Sequence, residues 1–391
     1  MSIESAATSG DPSYLRRLNL QSVLRLLHAG GVHTITELAR AAQLSRPTTK
    51  QAIVDLVEVG WASQADPSDR PLNALGRPAQ GFAFRPEAGH VLGVDIGAYK
   101  AVALISDLNG SVVSRARRNV DPTWGAARRL SALDDVIADS LNGFEPGVEA
   151  ISDGAIATPG VISLDGYVAH SPAVREWEGQ HLGDHVQAKF GFPTQAANDV
   201  RMAALAEHWV GAAKYATDIV YLHAGRRIGT ALLIGGRPHL GHHGASAEIG
   251  LWRGLKWADA YDRFLLHTDP AERNVGNDVQ RIFEAAAAGK AAAQTRINDF
   301  AEAIGEGLGP TIVAIDPELL VIGGGMSAAG EAFAGPLRAR ITQETPFPPD
   351  VVCSALGDES GALGAVRLAL DSAEARLFSE LAPPSARAVA N

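Results

Sequence analysis

The sequence predicts an α/β protein with a small N-terminal winged helix-turn-helix and, behind it, a two-lobed body. Three observations carry this. Residues 14 to 60 hold three helical patterns separated by short breaks. From residue 90 onward, short apolar runs ending in Gly or Asp alternate with alanine-rich helical stretches, the texture of layered α/β architecture. Within that body "VLGVDIGAYKAVALISDLNGSVV" and, from Asp218, "DIVYLHAGRRIGTALLIGGRPHLG" read alike: strand, glycine-containing turn, strand, turn, short strand. The likeness suggests an internal duplication, hence two lobes with a cleft between them, a common place for a ligand. The expected division is 1–85 for the head, 86–205 for the first lobe and 206–391 for the second, with a C-terminal helix returning to the first lobe.

Length agrees with several units, since 391 residues with 46% hydrophobic character exceed one ordinary core. No apolar run is long enough to span a bilayer, and the opening "MSIESAATSGDPSY" has neither the basic start nor the apolar centre of a secretory signal. The single Cys353 cannot form an internal disulfide. A cytoplasmic protein without a membrane partner is expected. The net charge of −10 taken alone argues against nucleic acid, but residues 1–85 hold nine Lys/Arg against seven Asp/Glu, so the body carries the negative excess. A modestly basic head on an acidic body can approach DNA with one end.

In the head, Leu20, Val23, Leu24 and Leu27 recur at helical spacing until Gly30 and Gly31 stop the pattern. A second helix, "TITELARAA", has Thr34 or Thr36 as its cap and turns Leu38, Ala39 and Ala42 inward. After a tight turn at Gln43 and Leu44 a third helix begins, capped by Ser45, with Pro47 in its first turn where a missing N–H costs nothing. This is the helix-turn-helix arrangement, with Ile53, Leu56 and Val57 as the buried side of its last helix. Ser45, Arg46, Thr48, Thr49, Lys50 and Gln51 are then the candidates for contact with DNA, Gln51 for a base edge and the cations for guanine or phosphate. A small helical domain with a solvated polar face would show the same pattern. Two short strands near Trp61–Gln64 and Gln80–Phe84 would flank a Pro-rich tip, the position of a wing. The tip's "GRP" offers Arg77 to a narrow minor groove, or is a plain linker turn.

In the body, "TQAANDVRMAALAEHWVGAA" sets Asn198 and Asp199 between a strand and an amphipathic helix. There an Asp can accept a proton from a sugar hydroxyl and an Asn can donate and accept; equally, the pair is a helix cap. "RPHLGHHGASAEIGLWRG" brings His239, His242, His243 and Glu248, but the spacing matches no ordinary zinc pattern, so no metal is expected and Glu248 reads as a polyol contact. "PELLVIGGGMSAAG" runs an apolar strand into Gly323, Gly324 and Gly325, which can let backbone pass close beneath a base or can serve packing alone.

In order and spacing these stretches resemble the ROK family, which joins sugar-dependent transcriptional repressors to bacterial sugar kinases on an actin-like fold. The resemblance covers nearly the whole chain: "LSRPT" (44–48), "GRP", "GVDIGAYKAVALISDLNG", "IATPGVIS" (156–163), "NDVRMAALAEHWVGAA" (198–213), "GHHGASAEIG" (241–250) and "DPELLVIGGGMSAAG" (316–330). It implies that Asp199 is the counterpart of a catalytic base, beside Asn198. Glu248 corresponds to a sugar contact, Asp95 and Gly97 to the first phosphate motif, and Gly323, Gly324 and Gly325 to the adenosine motif. Gly160 and His243 are further expected ligand contacts, and the resemblance implies Asp259 as the counterpart of a sugar-contacting Glu.

The departures point away from phosphate transfer. Where the family's kinases have Gly-Thr-Gly and small residues, this chain reads "AGRRIGTAL", placing Arg226 and Arg227 where backbone N–H groups should approach phosphates unobstructed. The family's zinc module, a His and three Cys, is missing, Leu251 standing where the His is expected. The sugar loop "PNL" becomes "PAV", with Ala173 in place of Asn. The expectation is a DNA-binding regulator, a repressor acting as a homodimer or dimer of dimers, with a degenerate kinase site, a sugar or sugar-phosphate effector, double-stranded operator DNA as partner and no cofactor. The competing readings are an active sugar kinase with a DNA-binding head and a regulator without a small-molecule ligand.

Overall fold

The computed structural model describes residues 12–65, 80–225, 227–252, 254–265 and 275–380. The N-terminal part contains α1 (Pro12–His28), β1 (His33–Thr34), α2 (Ile35–Ala41), α3 (Arg46–Glu58), β2 (Ala62–Ala65) and β3 (Gly81–Phe84). Local chemistry sets its helix starts. Thr34 and Glu37 form a reciprocal capping box on α2, and the Ser45 hydroxyl accepts the Thr48 N–H at the start of α3. Gln43 takes the left-handed conformation between them, at φ 54°, and turns the chain sharply. The three short strands pair antiparallel in the order β1-β3-β2.

The buried stripe of α3 runs through Thr49, Ala52, Ile53 and Leu56, at the i, i+3, i+4, i+7 spacing of a helix face. That corrects two expectations. Val57 falls beside the stripe and is exposed. Thr49, expected to face DNA, is wholly buried, because its hydroxyl turns back to donate to the Ser45 carbonyl and so needs no water.

The body begins with β4 (His90–Ile96), β5 (Lys100–Asp107), β6 (Val112–Asn119), α4 (Ala126–Leu141), β7 (Ile151–Thr158), β8 (Val161–Ile162), β9 (Val168–His170), α5 (Leu182–Phe190), β10 (Thr194–Asn198) and α6 (Asp199–Val210). It continues with β11 (Ile219–His223), β12 (Gly229–Ile234), β13 (Arg237–Pro238), α7 (Trp257–Leu265), α8 (Val275–Ala287), α9 (Ala291–Ile315), β14 (Leu319–Gly323), α10 (Glu331–Ile341), β15 (Asp350–Cys353) and α11 (Ser360–Glu380). Two five-stranded sheets result, ordered β10-β7-β4-β5-β6 and β15-β14-β11-β12-β13. In each, an antiparallel hairpin leads and two later strands add in parallel beside its first strand. The similarity read between the two segments is thus a repeat of the sheet itself.

β4 and β5 are buried on both faces, as their almost unbroken apolar runs require. Leu92, Val94 and Ile105 pack in a core with α4 and α5, while Val91, Val102 and Leu104 share another with α11 and with α1, α3 and β3 of the head. The helices after the last strand of each sheet cross over: α6 packs on β11 and β12, α11 on β4 and β7, and the two lie against each other. Their approach is close enough that a Cβ on Gly364 would stand 1.8 Å from the Met202 carbonyl oxygen. Among the described residues no helix is long and apolar enough to cross a membrane.

Candidate functional site

Charged groups at the carboxyl ends of the central strands come near enough to influence one another, at the usual ligand position in open α/β sheets. Asp95 arrives on β4, Asn198 at the end of β10, Asp199 at the start of α6, His223 at the end of β11 and the glycine turn after β14. Asn198 fills both roles left open by its sequence. Its carbonyl oxygen caps α6 by accepting the Arg201 N–H at 2.9 Å, while Nδ2 donates to the Gly160 carbonyl at 3.0 Å and to Glu248 Oε1 at 3.3 Å. One amide therefore ties the first sheet to the Glu248 loop. Arg201, buried on α6, donates to the carbonyl of Gly244 in that same loop at 3.0 Å. Ala247 takes φ 65° just before Glu248, so the loop reverses there and the carboxylate faces Asn198.

The electrostatics follow from this crowding. Asp199 keeps part of its surface open yet is surrounded by protein, the position of a group on the floor of a cleft. Burial pushes its carboxyl up to about 6, against the pull of the Val200 N–H, Lys100 and Arg227. Asp95 is also raised to about 6, by burial and by the Asp199 charge, although the Lys100 ammonium lies 3.4 Å away. Glu248 is raised by burial and by Asp199, with Arg201 and His170 opposing. Burial lowers the His223 imidazole. Three carboxyl groups that resist ionising lie beside an amide with both donor and acceptor; each carboxyl can accept from a hydroxyl or, when protonated, donate to one.

The glycines have specific neighbours. Gly97 ends β4, and its carbonyl accepts from the buried Arg129 guanidinium. Gly160, at φ 116°, lies against the His170 carbonyl. A Cβ on Gly323 would strike the Tyr221 hydroxyl at 1.8 Å and one on Gly324 the Ala224 carbonyl at 2.7 Å, so packing alone requires both. Gly325 is open, with nothing near a Cβ. Arg227 does not lie along its own loop. Its Nη2 donates to the carbonyl of Ala173 at 3.1 Å, in the altered sugar loop; Arg226 lies outside the described residues.

Two expected ligand residues stand apart from this cluster. His243 is exposed in an edge-to-face ring pair with His242, and Asp259 is exposed in the first turn of α7, neither sharing a hydrogen bond with Asn198, Asp199 or Glu248 among the described residues. Reasoning from sequence named neither Lys100 nor His223. Laying the two repeated segments in register, "VDIG" over "LHAG", sets His223 against Asp95 and would have found it.

On the head, Ser45, Arg46, Lys50 and Gln51 are exposed around the N-terminal half of α3, and Thr48 is half-buried with its hydroxyl 2.7 Å from that of Ser45. Arg77, expected at the tip of a wing, lies outside the described residues. Gln51 Nε2 donates to Asp55 Oδ1 at 2.9 Å, and Asp55 in turn is paired with Arg16 of α1.

A ROK family model matches residues 91–253 and 266–372. The chain is similar to the xylose repressor of Caldicellulosiruptor bescii, at 23% identity over 86% of this chain and 90% of that protein. It is also similar to the glucokinase of Streptomyces coelicolor, at 26% identity over 72% of this chain and 98% of the other. Among solved structures, a ROK family transcriptional regulator homologous to the MLC protein of E. coli superposes with a TM-score of 0.73 at 18% identity, over 93% of this chain and 98% of that one. A Streptomyces griseus ROK glucokinase with glucose and AMPPNP gives 0.61 at 24% identity, over 72% of this chain and all of the other.

Proposed function

Because the chain belongs to the ROK family, we propose that it is a DNA-binding transcriptional regulator of the repressor kind, a cytoplasmic homodimer whose cleft senses a sugar or sugar derivative rather than phosphorylating it. The single observation that carries this reading is the head. Residues 12–65 and 80–85 stand ahead of the matched body and present Ser45, Arg46, Lys50 and Gln51 on the exposed start of α3, which packs against β2 of the antiparallel β2–β3 pair. In a winged helix-turn-helix that end of the helix enters the major groove; Arg77, which lies outside the described residues, is proposed from the sequence as a minor-groove contact.

The body supplies the sensor. Asn198, Asp199, Glu248 and Gly160 would hold the hydroxyls of a sugar, with Asp95 and the glycine turn vestiges of a nucleotide site. The state of the cleft reaches the head along α11. Gly361, at its start, would place a Cβ 2.9 Å from the Asp95 carboxylate, while Phe378, near its end, stacks under Arg25 of α1 at 4.3 Å. A ligand that moves the start of this helix thereby moves the platform on which the head sits. To change occupancy tenfold it need favour one state by only about 1.4 kcal/mol.

The kinase reading is favoured by the place of Asp199 at a strand end beside Asn198, and opposed by Arg227 in the second phosphate loop. One experiment separates them: the full-length protein is mixed with duplex fragments and, in parallel, with ATP and a panel of hexoses in a coupled ADP-release assay. Retarded duplex without sugar-dependent ADP release is expected. Sugar-dependent turnover with any hexose would establish the kinase instead, whether or not duplex is retained.

A further inference from the structure

We infer that Asp55 fixes the direction of the Gln51 side-chain amide, so that the recognition helix presents an acceptor to the groove and selects a base bearing an exocyclic amino group. This deepens, and rests on, the reading of the head as a DNA-binding module. Gln51 is exposed on α3, and Asp55 lies one turn later on the same side but is nearly buried against α1. Arg16 occupies one carboxylate oxygen of Asp55, Oδ2, with Nε at 2.9 Å and Nη2 at 2.8 Å. The other, Oδ1, receives Gln51 Nε2 at 2.9 Å.

A carboxylate paired with a guanidinium can only accept. The amide must therefore turn Nε2 toward Asp55, which leaves Oε1 facing outward without a partner among the described residues. A free glutamine reads with either end of its amide; this one is held at a single setting before DNA arrives. An outward acceptor matches the N6 amino group of adenine or the N4 amino group of cytosine. It opposes guanine, whose major-groove edge offers only N7 and O6, and thymine, which offers O4.

The test uses the full-length protein and a duplex selected from a random pool, followed by single-base substitutions through each half-site. The position read by Gln51 is the one whose preference Gln51→Ala abolishes. At that position the wild-type protein is expected to favour adenine or cytosine over guanine or thymine by about tenfold. In Asp55→Asn, Arg16 holds the Asn oxygen and the new amide donor faces Gln51, so Oε1 turns inward and Nε2 turns out; the preference should move to guanine or thymine at that position alone. Asp55→Ala, which removes the acceptor and frees both ends of the Gln51 amide, should flatten the preference at that position while leaving the other positions unchanged. A wild-type preference for guanine or thymine there, or a wild-type pattern retained in Asp55→Ala, overturns the inference with DNA binding intact. Failure to select any duplex overturns the DNA-binding reading itself, and this inference with it.

Discussion

Arg227 reaches from the loop after β11 to the carbonyl of Ala173 in the loop after β9, Nη2 to O at 3.1 Å. Both partners are departures from what a ROK kinase is expected to carry, and they meet each other. The bond links a loop of the second sheet to a loop of the first, with the Arg227 charge felt at Asp199. Because the guanidinium is exposed, one such bond contributes about 1 kcal/mol, a factor of roughly five between closed and open forms. Arg227→Ala should therefore speed amide hydrogen exchange in the loops around Ala173 and Arg227 by up to about fivefold, without a comparable change in β4 or β14. Unaltered exchange at Ala173 would show that the contact does not hold the two loops together.

The raised carboxyls of Asp95 and Asp199 make stability fall with pH. A group whose folded pKa lies near 6, against an ordinary 3.8, binds its proton more tightly in the folded state. Its contribution is full below about pH 4, is lost as pH rises toward 6, and stays lost above that. Each unit is about 1.4 kcal/mol, so the pair together costs of the order of a few kcal/mol at neutral pH. Asp199→Asn removes one charge from the crevice and should raise the melting temperature at pH 7.5, with the gain vanishing at pH 4. A gain equal at both pH values would mean that the Asp199 charge is not the cause.

What was legible in the chain divides by distance along it. Caps were readable because a cap is a contract among neighbours: Ser45 with Thr48, Thr34 with Glu37, Asn198 with Arg201. The double role of Asn198 was half-readable, since its link to Glu248 spans 50 residues. Polarity at Thr49 does not mean exposure, because its hydroxyl is satisfied by its own helix. The Arg227–Ala173 contact and the docking of α1 on α11 left no local trace; they exist only once both sheets are assembled.

The docking of the head depends on Phe378. Its ring lies under the Arg25 guanidinium at 4.3 Å and edge-on to His28 at 5.5 Å, while His28 also meets Phe84 at 4.9 Å. Gly361 and Phe378 lie near opposite ends of α11, so about 26 Å of helix separates this contact from the Asp95 carboxylate. Phe378→Ala should cost about 1–3 kcal/mol of head–body coupling while leaving the head's own core intact. Scanning calorimetry of the full chain should then resolve an earlier, separate head transition. A single unbroken transition, shifted or not, would place the coupling elsewhere.

α6 and α11 cross closely, and Gly364 sets their distance. A methyl there would lie 1.8 Å from the carbonyl oxygen of Met202, a helical backbone atom that cannot swing aside. Alanine improves helix propensity by about 1 kcal/mol over glycine, so a fully exposed glycine would gain from the change. Here the two helices must separate instead, and overpacking of this kind costs about 1–3 kcal/mol or more. Because α11 also touches β4 through Gly93, whose own Cβ would meet the Val366 nitrogen at 2.4 Å, it has little room to retreat. Gly364→Ala should therefore lower the melting temperature by several degrees, and Gly93→Ala should do the same from the other side. If Gly364→Ala melts at or above the wild-type temperature, the helices are not held at this separation.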